Sequence, residues 1–413
     1  MGLNLPLFIA RRMRFDRQTK GSVSAQIIKI AKLAVALGMA MILIAVATGK
    51  GLQSEIQSKT VAFSGHMVVT PFENSESQLS VLPIVDDKGV FELLKKENGV
   101  THVQKVAQKG GLLKFEDQFE GVILKGVDST YRWENLKGFL VAGRFPELGE
   151  KASSEIFISQ PIAQKLSVSL GDEVTAYFQN NQNQQLPNVR KLVVVGMFLS
   201  GFPDFDQNYI FGDLRHIQRI NKWKDQEIGA YEVFTTDLES VAAVGASVYR
   251  KLPPELDVTE INRQYATIFQ WISLFDFNIL IIIIVMIVVG VINMSTALLV
   301  LILERSNMIG LLKAIGSANG LIQKIFLYNG VVIMGQGLFW GNMVGLLFYI
   351  TQKYWGWIRL DPETYYVQSA PVVLDLWTVL LLNIGFLLVS SLLLWIPSVI
   401  ISSIRPAKVL RFR

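Results

Sequence analysis

Charge disappears from four blocks of this chain: Leu33–Gly49, Phe277–Leu303, Ile325–Gln352 and Leu376–Ile404. At ~1.5 Å per residue, the 27 residues of the second block reach about 40 Å as a helix, against a hydrocarbon core ~30 Å thick. The last three blocks are long enough to span a bilayer and project beyond one face. The first spans if Lys29 and Lys32, in its approach "IIKIAK", snorkel to the surface.

Between the first and second blocks the pattern changes. "HMVVTPF", "THVQKVAQ", "FEGVILKGV", "EVTAYF", "RKLVVVGMF", "NYIFG" and "AYEVFTTD" have strand composition and are separated by polar turns. "KGVFELLKKENG" and "DLESVAAVGASVYRKLPPEL" read as helices. In the second, Leu238, Val241, Ala242, Val248, Tyr249 and Leu252 are expected on one face, with Pro253–Pro254 as its end. Asp86–Asp87 reads as a turn, and "GFPDFDQN", with Asp204 and Asp206, as a solvated loop. The expected fold class is a membrane protein with four transmembrane helices and a large α/β extracytoplasmic domain inserted between helices 1 and 2.

Composition agrees. Of 413 residues, 51% are hydrophobic and only 18% charged, too apolar and too blockwise for an ordinary soluble domain. Lys and Arg set the orientation. Arg11, Arg12, Arg14, Arg17 and Lys20 precede the first block; Arg305, Lys313 and Lys324 lie between the second and third; Arg405, Lys408, Arg411 and Arg413 close the chain. Both termini and the 304–324 segment are therefore expected in the cytoplasm, and residues 50–270 outside. These basic arms suit anionic membrane lipids, not nucleic acid. "AVA" at Ala45–Ala47 resembles a cleavage site, but the charged leader is too long for a signal peptide. The absence of cysteine excludes a disulfide framework. His66, His102 and His216 are far apart in sequence, in no metal-ligand spacing, and there is no HExxH, GxSxG or Walker A motif. The chain is not expected to be an enzyme or to hold a metal or cofactor.

The segment "ERSNMIGLLKAIGSANGLIQKIF" separates two spans. Ser306 or Asn307 can cap a helix, "NMIGLLKAI" supplies about nine helical residues, Gly316 ends it and Ser317 can start the next. A helix that short cannot cross a membrane. Met308, Ile309, Leu312 and Ile315 would form an apolar ridge beside Arg305 and Lys313, suited either to a groove on a cytoplasmic partner or to the headgroup region. In the third block Gly337, Gly341 and Gly345 recur every fourth residue. That spacing permits close helix approach, at a subunit interface or against the chain's own second or fourth span. Asn383, Ser390 and Ser391 are candidate polar partners in the fourth.

"MSTALLVLILERSNMIGLLKAIGSANGLIQKIFLYNGVVIMGQGLFWGNMVG" resembles the second span, coupling helix and third span of FtsX-like ABC-transporter permeases. "FIARRMRF", the stretch from "GSVSAQ" to "SGHMVV", and "LDPETYYVQSAPVVLD" resemble the lipoprotein-releasing permeases of the LolC/LolE type. The resemblance covers nearly the whole chain and is strongest at 8–70 and 290–375. It implies a cytoplasmic amphipathic N-terminus (1–24), TM1 (25–49), a MacB-like periplasmic core domain (50–270), TM2 (271–303), a coupling helix (304–320), TM3 (321–352), a periplasmic loop (353–375), TM4 (376–404) and a cytoplasmic tail (405–413). The periplasmic part would have a membrane-proximal subdomain (50–128 plus 226–270) and a mobile one (129–225). For Gly337, Gly341 and Gly345 the resemblance implies packing against the chain's own second or fourth span.

The resemblance further implies a bacterial inner-membrane permease subunit that extracts triacylated lipoproteins. A separate LolD-like ATPase, which binds the ATP and Mg, would grip Arg305, Met308, Ile309, Leu312, Lys313 and Ile315. A second permease copy or paralogue would complete a lipid-anchor cavity whose lining candidates are Leu43, Val46, Ala47, Phe275 and Ile279; ordinary lipid-facing or helix-packing side chains are the other reading of each. A hook at Gln185, Leu186, Pro187 and Asn188 would recruit a LolA-like periplasmic chaperone; the competing reading is a loop with no partner. MacB-like efflux and FtsX-like mechanotransmission to a cell-wall hydrolase are the alternatives.

Overall fold

A computed structural model describes residues 8, 23–74, 79–179, 187–365 and 367–403. The expected N-terminal segment lies almost wholly outside these residues, and the basic tail entirely so. Two compact units emerge. One holds the chain up to Gln53, Ile272–Arg359 and the residues from Ser369 onward; the other holds Ser54–Trp271 and Leu360–Gln368.

The first unit is helical. Among the described residues four helices are long and apolar enough to cross a membrane: Ala25–Ser64, Ala266–Glu304, Asn319–Trp355 and Leu376–Ser398. We call α1 the full helix Val23–Ser64. It runs 42 residues, about 63 Å at ~1.5 Å each, so it continues well past the ~30 Å a bilayer core requires. Half of its most apolar window is buried, against 6% of that of Ala266–Glu304. The core of this unit gathers Val35, Met39, Ile42, Leu43 and Val46 of α1 with Met294, Met334, Leu338 and Phe386 from the other three helices.

The second unit is built on a ten-stranded sheet. Its strands are β1 (Met67–Pro71), β3 (Val100–Phe115), β4 (Gln118–Val127), β5 (Leu140–Gly143), β6 (Glu155–Ser159), β7 (Glu173–Phe178), β8 (Asn188–Phe198), β9 (Tyr209–Asp213), β11 (Ala230–Thr235) and β12 (Leu256–Glu260). Residues of β1, β7 and β8 alternate between buried and partly exposed, while the central strands β9 and β11 are buried throughout. A two-stranded ribbon pairs β2 (Ile84–Val85) with β10 (Glu227–Ile228). One wing runs β12-β1-β11-β3. The far half of β3 pairs with both β4 and β7; β4 pairs with β9, β9 with β6, β6 with β8, and β8 with β7. Those six strands close into a barrel, which removes the exposed edges an open sheet would leave. Val174, Ala176 and Phe178 of β7 and Leu192 and Val194 of β8 point inward at period two. The barrel takes β3 and β4 from the segment expected in one subdomain and β6–β9 from that expected in the other.

The helices that flank the sheet are set by their caps. Asp87 accepts from the Gly89 amide and starts α2 (Lys88–Lys96). Ser159 accepts from Ile162 N to start α3 (Gln160–Leu166), and Asp213 from Arg215 N to start α4 (Leu214–Asn221). The helix expected near 237–256 spans only Val241–Tyr249, here α5, and buries Val241, Val244, Gly245 and Val248. Ala242 and Tyr249, expected on its buried face, are exposed, because the i, i+3, i+4, i+7 stripe begins at Val241 and excludes both.

Candidate functional site

Two of the chain crossings between the units are helical: α1, and helix α6 (Ala266–Glu304), which leads back from the sheet; the other two are the ends of Leu360–Gln368. After α6 come α7 (Ser306–Ala314), α8 (Asn319–Trp355) and α9 (Leu376–Leu393). The expected nine-residue helix is therefore present as α7, but its caps differ from the expectation. Ser306 is its first helical residue, Arg305 holds the N-cap position without a side-chain cap, and Ala318 precedes α8. Its end is a Schellman motif. Ser317 N donates to Leu312 O (2.9 Å), Gly316 N donates to Lys313 O (3.0 Å), and Gly316 has φ +90°.

The apolar ridge expected on α7 divides between two surfaces. Ile309 is fully buried with Leu298, Ile302, Ile322, Phe326 and Ile401, and Met308 and Leu312 pack against the same cluster. Lys313 Nζ donates to Ile401 O (2.6 Å), which also turns it toward the chain's own helices. Ile309 is thus part of the unit's core and is not available to a groove on another protein. The outward face carries Asn307, Leu311, Ala314 and Ile315; Leu311 is 56% and Ile315 72% exposed. Leu311 was not among the expected coupling residues. Its signal is the four-residue step from Asn307, which the apolar count along the segment obscures.

The lining candidates are distributed in a similar way. Leu43, Val46 and Ala47 are buried by their own unit. Leu43 lies against Gly345 of α8, and Ala47 O accepts from Val373 N (2.9 Å). All three side chains thus face the interior of the unit. Phe275 and Ile279 are half-buried, and Ile279 sits over Gly49. The uncovered stripe of α1 is Ile30, Leu33, Leu37 and Met41, continued by the half-buried Ile44, Ala45 and Thr48. Near the start of α6, Gln53 Nε2 donates to Ile272 O (3.2 Å) and Asp276 Oδ1 (3.0 Å).

Gly337, Gly341 and Gly345 pack within the chain, but on α1, not on the second or fourth span. A Cβ at Gly341 would lie 2.6 Å from Ala36 O and 2.7 Å from Met39 Cβ; at Gly337 it would meet Val35, and at Gly345 Leu43. Gly341→Val is expected to push α1 and α8 apart and destabilise the helical unit by about 2–3 kcal/mol, read as a lower melting midpoint in detergent. An unchanged midpoint would refute the close α1–α8 contact. Asn383 finds its partner on α8: it and Asn342 exchange hydrogen bonds of 2.7 and 2.9 Å. The Ser390 and Ser391 hydroxyls are buried without a hydrogen-bond partner among the described residues.

Of the hook residues, Gln185 and Leu186 lie outside the described residues. Pro187 is exposed and Asn188 opens β8, paired with Phe178.

The aspartates of the α/β unit do structural work. Asp206, expected in a solvated loop, is buried and accepts from Ser200 N (2.9 Å), Ser200 Oγ (2.7 Å) and Gly201 N (2.8 Å). Burial raises its pKa, and those three donors pull it the other way. Asp86 accepts from the Lys105 ammonium and from Tyr231 Oη (2.8 Å).

Sequence reasoning missed the most buried charges among the described residues. Lys125 on β4 and Glu232 on β11, 1% and 2% exposed, pair at 2.5 Å. Gln104 of β3 holds the other carboxylate oxygen (2.8 Å). Lys125 also donates to Phe63 O in the last turn of α1. The Phe63 ring stacks on Phe205 at 4.4 Å. Ser64 Oγ and Tyr265 Oη share a 2.7 Å hydrogen bond, and burial pushes the Tyr265 phenol up to about 12, so it stays a neutral hydroxyl. No group of three or more His, Cys, Asp or Glu among the described residues is placed to hold a metal ion.

Compared with known proteins, residues 30–264 match the MacB-like periplasmic core domain family and residues 280–406 the FtsX-like permease C-terminal family. The lipoprotein-releasing system transmembrane protein LolC of Haemophilus influenzae is 20% identical over 352 residues, 84% of each chain. LolE of the same organism is 20% identical over 421 residues, 99% of each chain. The solved periplasmic region of MacB from Actinobacillus actinomycetemcomitans aligns at 16% identity over 50% of this chain and 92% of that one, with a TM-score of 0.35.

Proposed function

This chain belongs to the MacB-like periplasmic core domain family, and on that premise we propose that it is the permease subunit of an ABC transporter that extracts lipoproteins from the outer leaflet of the bacterial inner membrane. The observation that carries this reading is the similarity to LolC and LolE over nearly the full chain, with the same order of one span, an α/β insert and three further spans. The work to be done is large. A triacylated anchor buries three acyl chains at ~0.8 kcal/mol per CH₂, so extraction costs tens of kcal/mol and needs an external energy source.

In this reading a separate ATPase binds ATP and Mg and engages α7 through its outward face, Leu311 and Ile315, with Arg305 beside it. The termini and α7 are cytoplasmic, as the Lys and Arg distribution favours. A second permease, identical or paralogous, stands against the largely bare α6. The acyl chains lie along the uncovered α1 stripe near Met41, Ile44 and Thr48, with Phe275 and Ile279 opposite. The released lipoprotein passes to a soluble periplasmic chaperone recruited near Pro187 and Asn188.

Depleting this protein from its source cell should leave outer-membrane lipoproteins in the inner-membrane fraction on a density gradient. An unchanged distribution after depletion would refute the lipoprotein reading.

A further inference from the structure

The α/β unit receives α1 at one point and gives rise to α6 at another, and both points are fastened within it. A helix ends with carbonyls that lack intrahelical donors and with the negative pole of its dipole. At the end of α1, Gly65 takes φ +72° and its amide returns to Val61 O (2.8 Å). The Phe63 carbonyl is taken by the Lys125 ammonium, which comes from the sheet, not from the helix. Lys125 is in turn fixed by Glu232 (2.5 Å), and Glu232 by Gln104 (2.8 Å). The Phe63 side chain is held among Phe139, Phe198, Phe205 and Phe211, at centroid distances of 4.4–5.9 Å. One residue on, Ser64 Oγ bonds to Tyr265 Oη (2.7 Å), and Tyr265 immediately precedes α6.

We infer that Lys125, Glu232, Ser64 and Tyr265 are positioning residues of the transport cycle: they join both helical crossings, α1 and α6, to the sheet so that helix movement becomes movement of the α/β unit. A buried ion pair is not needed for stability as such, since apolar residues of similar size commonly replace one without loss. Here the pair holds a cation against the end of a 42-residue helix, a role an apolar pair cannot fill. The hydroxyl pair ties the two crossings to each other, so neither can slide alone. The inference rests on the transport reading proposed above.

The test uses the whole transporter complex in proteoliposomes and reads lipoprotein released per ATP hydrolysed. Lys125→Met with Glu232→Leu removes the cation from Phe63 O and leaves no unpaired charge. This variant should melt close to wild type and hydrolyse ATP at the wild-type rate, yet release about tenfold less lipoprotein per ATP. Ser64→Ala, which deletes one hydroxyl and carries the test should the double variant not fold, should lower the ratio about threefold. A wild-type ratio in a folded variant overturns the inference alone. A wild-type complex that hydrolyses ATP but releases nothing overturns the transport reading and this inference with it.

Discussion

A chain carrying Leu311→Asp and Ile315→Asp is expected to insert and fold normally and to lose nearly all of the ATPase subunit that co-purifies with it. Both side chains point away from the helical unit, Leu311 at 56% and Ile315 at 72% exposure, so the carboxylates disturb nothing in the free permease. In a partner's apolar groove each would be buried without a counter-charge, at a cost of several kcal/mol. Each ~1.4 kcal/mol is tenfold in affinity, so the two together should weaken the complex at least about a thousandfold. Ile309→Asp should behave differently. Ile309 is fully buried against Ile302, Ile322 and Phe326, and a carboxylate there should cost the permease its own folding and yield. The check is recovery of ATPase per permease in an affinity purification. Wild-type recovery with the Leu311/Ile315 pair replaced would contradict the assignment of α7 as the coupling element.

Glu232→Ala should be the most destabilising single change in the α/β unit. It leaves the Lys125 ammonium 1% exposed with the Phe63 carbonyl still in reach but no counter-charge. Removing one partner of a buried pair costs about 3–5 kcal/mol. For a unit of this size ~1 kcal/mol moves the melting midpoint by roughly 2–4 °C, so a fall on the order of 10 °C is expected. Adding Lys125→Met should restore most of it, because the stranded charge then disappears. Thermal unfolding of the full chain in detergent, followed by a probe of β-structure, measures both. A Glu232→Ala midpoint within a degree or so of wild type would show that the pair carries no structural weight.

The spans were legible because an uncharged run of 27 residues has few other uses, and the strand runs because their apolar residues alternate. The rotational phase of the spans was not. Leu43, Val46 and Ala47 face the core and Met41 and Ile44 the outside, yet all five are apolar or small, so the sequence holds no contrast from which to read the facing side. The glycine spacing of α8 announced a close contact, but glycine says only that something is near, not that it is α1. Three strands of the sheet, the four-residue "LVAG", "EIFIS" and "LDVTE", escaped notice. "EIFIS" is five residues long and runs directly into α3; "LDVTE" is an edge strand with Asp257 and Glu260 within it. Lys125 and Glu232 did leave a trace. "VILKGV" and "AYEVF" each place one charge inside an otherwise apolar run, with opposite signs, and two such strands in one sheet can satisfy each other. Asp206 left none, because a carboxylate in "PDFDQN" reads as solvated until its three donors from Ser200 and Gly201 are seen.

The central claim is ATP-driven extraction of a lipid-anchored protein, and release from proteoliposomes tests it most directly. The purified complex would be reconstituted with a fluorescently labelled triacylated lipoprotein and a soluble acceptor, and label in the supernatant followed after adding ATP and Mg. The account predicts release that requires ATP and stops in the Leu311→Asp, Ile315→Asp variant. Label that stays with the vesicles while ATP is hydrolysed by a complete complex would contradict it, and would return the chain to efflux or to mechanical signalling across the membrane.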